Sequence, residues 1–338
     1  MSVDENTQKA ASATPTLRLA RGWRYEDLFP REGLARLDGE FLDHVQARDA
    51  ELAARLRAFR AGAAAESAVA HSTFLLAVAA HIDAFMAELF GIEGEVAALQ
   101  GATVSHDGVM QFKKQFVQRR ARRYRGDFPQ SFADLDAWLD DEARKRGLPQ
   151  SDREWAIARL GEEWLADEKG HEPEITRLTQ WCAMVLNDGD IRAQFSGWAS
   201  FLLPERVDHT HLVPVNRVVR YGVDMAEGPQ AGFRRRDGFH LTDLRMDARH
   251  IQSEAHYCLY CHDHDGDFCS KGFPEKKGVP ELGLKVDPLG VTLTGCPLEE
   301  KISEMNLLRR DGLNIAALAM VMIDNPMVPA TGHRICND

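Results

Sequence analysis

Cysteine is nearly missing from the first three quarters of this 338-residue chain: Cys182 stands alone, and the other five lie at or beyond residue 258. Other absences narrow the reading. Residues 1–16 are small and polar, with no apolar core of a secretory leader, so the expectation is a cytoplasmic, reducing compartment in which thiols serve metals or redox chemistry. No stretch approaches the roughly 18 uncharged apolar residues that a membrane helix needs. The longest apolar run, Phe74 to Ala80, is flanked by His71 and His81 and fits a buried helix. There is no G-x-G-x-x-G after a strand, so no dinucleotide fold is visible. Internal repeats and low-complexity tracts are also lacking. Lysine and arginine are outnumbered, and the net charge of −11 argues against nucleic acid as a general partner.

What is present is mostly helical periodicity. Leu34, Leu37, Phe41, Leu42 and Val45 recur at three- and four-residue intervals, and Leu52, Leu56 and Phe59 extend the stripe. The Ala-rich stretch 62–90 predicts a second helix, Lys113 to Tyr124 a third, and Ser131 begins a fourth. Ser151-Asp152-Arg153-Glu154 reads as a capping box opening a helix through Trp155, Ile157, Leu160 and Trp164. Pro173 starts another, carrying Ile175, Leu178, Trp181 and Val185. Leu212 to Tyr221 is β-branched and suits a short extended segment, and 222–240 is rich in Gly and charge. The expected class is mainly α: a mobile tail over 1–16, a helical bundle domain over 17–210, a linker over 211–249, and a small α-helical, cysteine-bearing domain over 250–338.

Cys258 and Cys261 form a C-x-x-C pair, followed by Cys269, by Cys296 in Gly295-Cys296-Pro297-Leu298, and by Cys336. Soft thiolates at this density point to a metal centre, and the C-P piece favours iron–sulfur over zinc. Pro297 would open a helix through Ile302, Met305 and Leu308, with Gly312 interrupting before a second helix over Ile315 to Ile323. Together with Asn325-Pro326, Thr331-Gly332 and the closing Cys336, this order resembles the N-terminal iron–sulfur domain of the glutamate synthase small subunit and of dihydropyrimidine dehydrogenase. The resemblance covers about the last 80 residues. Here the insertion Ser270 to Thr294 lengthens the family pattern, and Asn337 replaces a proline.

The resemblance implies an N-terminal fragment of a larger oxidoreductase. Its [4Fe–4S] clusters would relay electrons between an FAD- and NAD(P)-binding module following residue 338 and another redox site or redox protein. By position, Cys258, Cys261 and Cys269 would serve one cluster, and Cys296 and Cys336 the other, with no acid–base machinery in the fragment itself. A different class remains open: a zinc-stabilised, non-redox binding module in which His256, His262, His264, Asp263 and Asp265 join the C-x-x-C pair.

Other clusters carry weaker signals. Asp208-His209-Thr210-His211 could place two histidines on one face. Glu168-x-x-His171 is half of a di-iron motif whose second half is absent. Lys113, Lys114, Arg119, Arg120, Arg122, Arg123 and Arg125 crowd one helix with aromatics. Pairing with Asp134, Asp136, Asp140, Asp141 and Glu142 of the next helix, or an acidic protein partner, is more economical than nucleic acid. Cys182 reads as core.

Overall fold

Residues 19–65, 67–204, 206–213, 215–228, 238, 246–264 and 266–331 are described by the structure, a computed structural model. The chain is mainly α-helical with one small β-hairpin. In chain order the helices are α1 (Arg31–Arg48), α2 (Ala50–Arg60), α3 (Ala68–Phe90), α4 (Glu93–Val104), α5 (Asp107–Phe112), α6 (Phe132–Lys145), α7 (Arg153–Ala166), α8 (Glu172–Asn187) and α9 (Gly189–Gln194). They continue as α10 (Ala248–Ala255), α11 (Phe268–Lys271), α12 (Ile302–Arg310), α13 (Asn314–Met322) and α14 (Val328–Thr331). Strands β1 (Asn216–Arg220) and β2 (Val223–Glu227) form the hairpin.

Contacts group the chain non-linearly into two units. Among the described residues, one takes 19–102, 258–271 and 295–331, and the other takes 103–257 and 272–294. The cysteine-bearing segments therefore cluster with the first helices, and no separate small body stands out around them.

In the first unit the apolar stripe breaks where Asp49 interrupts it. Its carboxylate accepts from Leu52 N at 2.8 Å, ending α1 and capping α2. Phe41, Val45, Leu52, Leu56, Phe74, Val78 and Phe85 form a core completed by Leu308, Ala316 and Met320 from α12 and α13. Two buried polar contacts fix these late helices on α3. Asp83 accepts from Ala316 N at 3.0 Å, supplying the N-terminal acceptor that Leu313 cannot. Ser72 Oγ donates to Glu304 Oε1 at 2.5 Å. Helix α3 runs 23 residues, longer than the apolar run Phe74 to Ala80 suggests, and by length and composition alone could cross a membrane. Here its apolar face is core. Pro297 does not open α12 as expected. Glu299 takes a left-handed φ of 52°, and the helix starts only at Ile302. Gly312 does separate α12 from α13, at φ 80°, where a Cβ would meet Gln100 Cγ at 2.8 Å.

The second unit packs α5 to α9 around Phe116, Leu135, Leu139, Ile157, Leu160, Trp164, Leu178, Trp181 and Cys182. Ser131 caps α6 as expected. Asp152, rather than Ser151, caps α7 by accepting from Trp155 N at 3.1 Å. The third expected helix changes pitch: α5 passes into a π-helical stretch at Lys113–Arg120 and a 3₁₀ turn at Ala121–Arg123. The hairpin turns through Tyr221 and Gly222, both at positive φ, the geometry that matches strand twist. It places β2 inside what the sequence reading treated as a linker.

Candidate functional site

The C-x-x-C segment is a tight turn of the first unit. Tyr260 sits at φ 47°, which lets its backbone N–H donate to Cys258 Sγ at 3.4 Å. Cys258 is half-buried and lies 3.9 Å from Ser303 Oγ on α12. Cys261 is buried and begins a 3₁₀ turn, Cys261–His264, that closes where Gly266 N donates to Cys261 O at 2.9 Å. A Cβ at Gly266 would sit 3.3 Å from that carbonyl, so the turn is tight there. Arg310 lies over the Tyr260 ring at 4.8 Å, and burial raises the pKa of the Tyr260 phenol.

Cys269 lies on α11 with its residue exposed, and its carbonyl accepts from Cys296 N at 2.8 Å. That bond brings two predicted ligands together across the sequence insertion. Cys336 lies outside the described residues, as do Asp265, Gly332, Asn337 and the tail 1–16. Among the described residues, no three His, Cys, Asp or Glu side chains group closely enough to hold a metal ion. The four described thiols thus lie in one unit, Cys258 and Cys261 as a pair in one turn and Cys269 and Cys296 as a pair joined by a backbone bond. Cys182 is fully buried in α8, and burial pushes its thiol well above the usual range.

Sequence reasoning missed what surrounds the cysteines. A cavity of about 330 Å³ is lined by Ser72, His262, Asp267, Lys271, Lys301 and Glu304 among others. Glu304 is 1% exposed, and His262 is 4% exposed. Among the described residues, the buried atoms Glu304 Oε2, Asp267 Oδ1 and His262 Nε2 find no hydrogen-bond partner. His262 Nδ1 lies 2.6 Å from Ser303 Oγ; its Nε2 is 3.3 Å from Asp263 Oδ1 but not aligned to bond with it. Burial pushes the Asp267 carboxyl up, against a hydrogen bond from Ser270, and the charge of Glu304 adds to the rise. Glu304 was legible only as a polar interruption beside the apolar Ile302, Met305 and Leu308.

The other sequence signals resolve locally. Asp208 accepts from Thr210 and approaches His211 Nδ1 at 2.9 Å in an exposed turn. Glu168 pairs with Arg120 at 3.0 Å. The carboxylates of α6 do not neutralise the basic tract. Asp136 and Asp140 pair with Arg153, Asp141 with Arg144 and Lys145, and Glu142 with Lys145 and Arg146.

Lys113 is the buried member of that tract, 4% exposed. Its Nζ donates to Ser253 Oγ at 2.8 Å and lies 4.4 Å from the Tyr257 ring centre. Burial pushes its ammonium down to about 8 from 10.5. Because the unfolded chain holds this proton more tightly, stability should rise as pH climbs from about 8 to 10.5. The expected gain is up to about 3 kcal/mol. Urea unfolding of wild type and Lys113→Met across that window checks it; a difference between the two that stays constant with pH would refute it.

A family model described as the RP005 N-terminal alpha-helical domain matches residues 19–91, the segment carrying α1 to α3. The chain is 30% identical over 295 residues to "Uncharacterized protein RP005" of Rickettsia prowazekii (strain Madrid E). The match covers 82% of this chain and 93% of that protein. The chain belongs to the RP005 family. No solved structure matches it.

Proposed function

We propose that the cysteine segments bind iron–sulfur clusters and relay electrons, as the N-terminal part of an FAD- and NAD(P)-linked oxidoreductase. The observation that carries the reading is the C-x-x-C turn. Tyr260 N–H is already aimed at Cys258 Sγ, and such a donor moderates the charge of a cluster-bound sulfur. Cys258, Cys261 and Cys269 would serve one cluster, and Cys296 and Cys336 the other, with the bond from Cys296 N to Cys269 O linking the two sets. The residues fit a cluster in ligand chemistry and in local turn geometry, while the pairs would have to draw together around it. A bound cluster supplies one-electron transfer; the chain supplies thiolates, the backbone donor and a partly buried setting. A flavin module would be the exchange partner.

The test is iron and acid-labile sulfide in anaerobically purified full chain. Equal amounts of the two, with at least half of both lost in the Cys258→Ser/Cys261→Ser double variant, support the reading. Zinc without sulfide instead indicates a zinc-held binding module, in which buried His262 beside Cys261 would be an added ligand. Absence of both metals from freshly prepared protein rejects the two alike.

A further inference from the structure

The second unit carries a concavity of about 380 Å³ that the electron-relay reading does not use. Arg122, in the 3₁₀ turn Ala121–Arg123, Arg192 on α9 and Arg206 beyond Pro204 all line it. Each of these arginines is exposed, and none has an ion-pair partner among the described residues. The nearby Asp188 is spent on capping: its Oδ1 accepts from Asp190 N and Ile191 N at 2.9 and 3.0 Å. The α6 carboxylates are engaged elsewhere, as described above. Three guanidiniums that form no ion pair among the described residues thus line one concavity in a chain whose overall charge is −11.

Guanidinium is the side chain best shaped to grip phosphate, through paired N–H donors. Asn187 adds an amide to the same lining, and Leu186 and Leu203 give it an apolar wall. The volume lies within the range of small-molecule pockets. We propose that this concavity binds a small organic phosphate, with its phosphate or diphosphate held by Arg122, Arg192 and Arg206 and its organic part against the two leucines. A lone carboxylate would leave most of this positive charge unmatched. A long nucleic acid needs a basic surface broader than this acidic chain offers.

Inorganic pyrophosphate titrated calorimetrically into the full chain at near-physiological salt is the test, with sulfate at equal ionic strength as comparison. Saturable binding of pyrophosphate, tighter than sulfate, is expected. Arg192→Gln and Arg206→Gln should each weaken it by about tenfold or more. Arg144→Gln, at an exposed pair within α6, should leave it unchanged. Being exposed, none of these positions is needed for folding, and far-UV circular dichroism verifies that. The proposal is overturned by no saturable pyrophosphate binding at millimolar concentration. It is equally overturned by affinity that Arg192→Gln and Arg206→Gln do not alter, or by a single-stranded oligonucleotide binding more tightly than pyrophosphate. None of these results bears on the iron content of the cysteine segments.

Discussion

Replacing Arg249 with methionine should lower the unfolding free energy of the second unit by about 3–5 kcal/mol. The guanidinium of this α10 residue donates from Nη1 to Glu154 Oε2 at 3.0 Å and to Asp152 Oδ1 at 2.8 Å, and Nη2 bonds Asp152 again. Glu154 is 4% exposed, and its other oxygen accepts from Ser200 N at 2.7 Å. Without Arg249 it becomes a buried carboxylate with no counter-ion, and that uncompensated charge dominates the loss. Urea unfolding at pH 7 measures it; a loss under about 1 kcal/mol would show the ion pair to be dispensable. Glu154→Gln in the same background should recover part of the stability by removing the orphaned charge. The acid limb follows from Asp152. Its carboxyl is held below the usual range chiefly by the hydrogen bond from Arg249. The stabilisation it adds is present above the unfolded carboxylate pKa of about 3.9 and lost as pH falls through the depressed folded value. Arg249→Met should flatten that acid dependence.

Trp181→Ala should cost about 3–5 kcal/mol. The side chain is fully buried. Phe195 meets it edge-on at 5.2 Å, Phe132 stacks at 6.2 Å, and Phe201 lies at 5.7 Å. So large a cavity among rings cannot collapse without moving α6, α8 and the turn after α9. The indole also donates to Asp136 Oδ1 at 2.9 Å, the same oxygen that Arg153 Nη2 holds at 2.6 Å. Trp181→Phe keeps most of the packing and drops that bond, so about 1–2 kcal/mol is expected from it. Far-UV circular dichroism in urea separates the two variants. Equal losses in both would mean that the indole N–H, rather than the ring, holds this part of the core.

Periodicity made the helices readable because burial follows it. Leu178, Trp181 and Val185 lie on one face of α8, and all are buried. Caps were readable where one candidate side chain stood alone, as at Ser131, and misread where Ser151 and Asp152 competed. The start of α12 was misplaced because proline marks a permitted helix start, while the left-handed φ of Glu299, uncommon for a non-glycine residue, delays it. β1 falls within the extended segment expected over Leu212 to Tyr221, whereas its partner β2 was hidden because Asp224 and Glu227 sit on an exposed strand that shows little apolar alternation. Least legible was the joining of α12 and α13 to α3, since local pattern does not say which distant helix covers an apolar face. The cysteines could be listed from sequence, but their backbone link through Cys269 and Cys296, and the buried Glu304 and half-buried Asp267 of the neighbouring cavity, depend on that long-range packing.

The seating of Ala316 on Asp83 across 233 residues also sets a timetable. At ordinary synthesis rates of about 5–20 residues per second, α3 leaves the ribosome roughly ten to fifty seconds before its covering helices exist. Through that interval the long apolar helix α3 has an unfinished coat. The nascent protein then carries on α3 an apolar face that only the arrival of α12 and α13 covers.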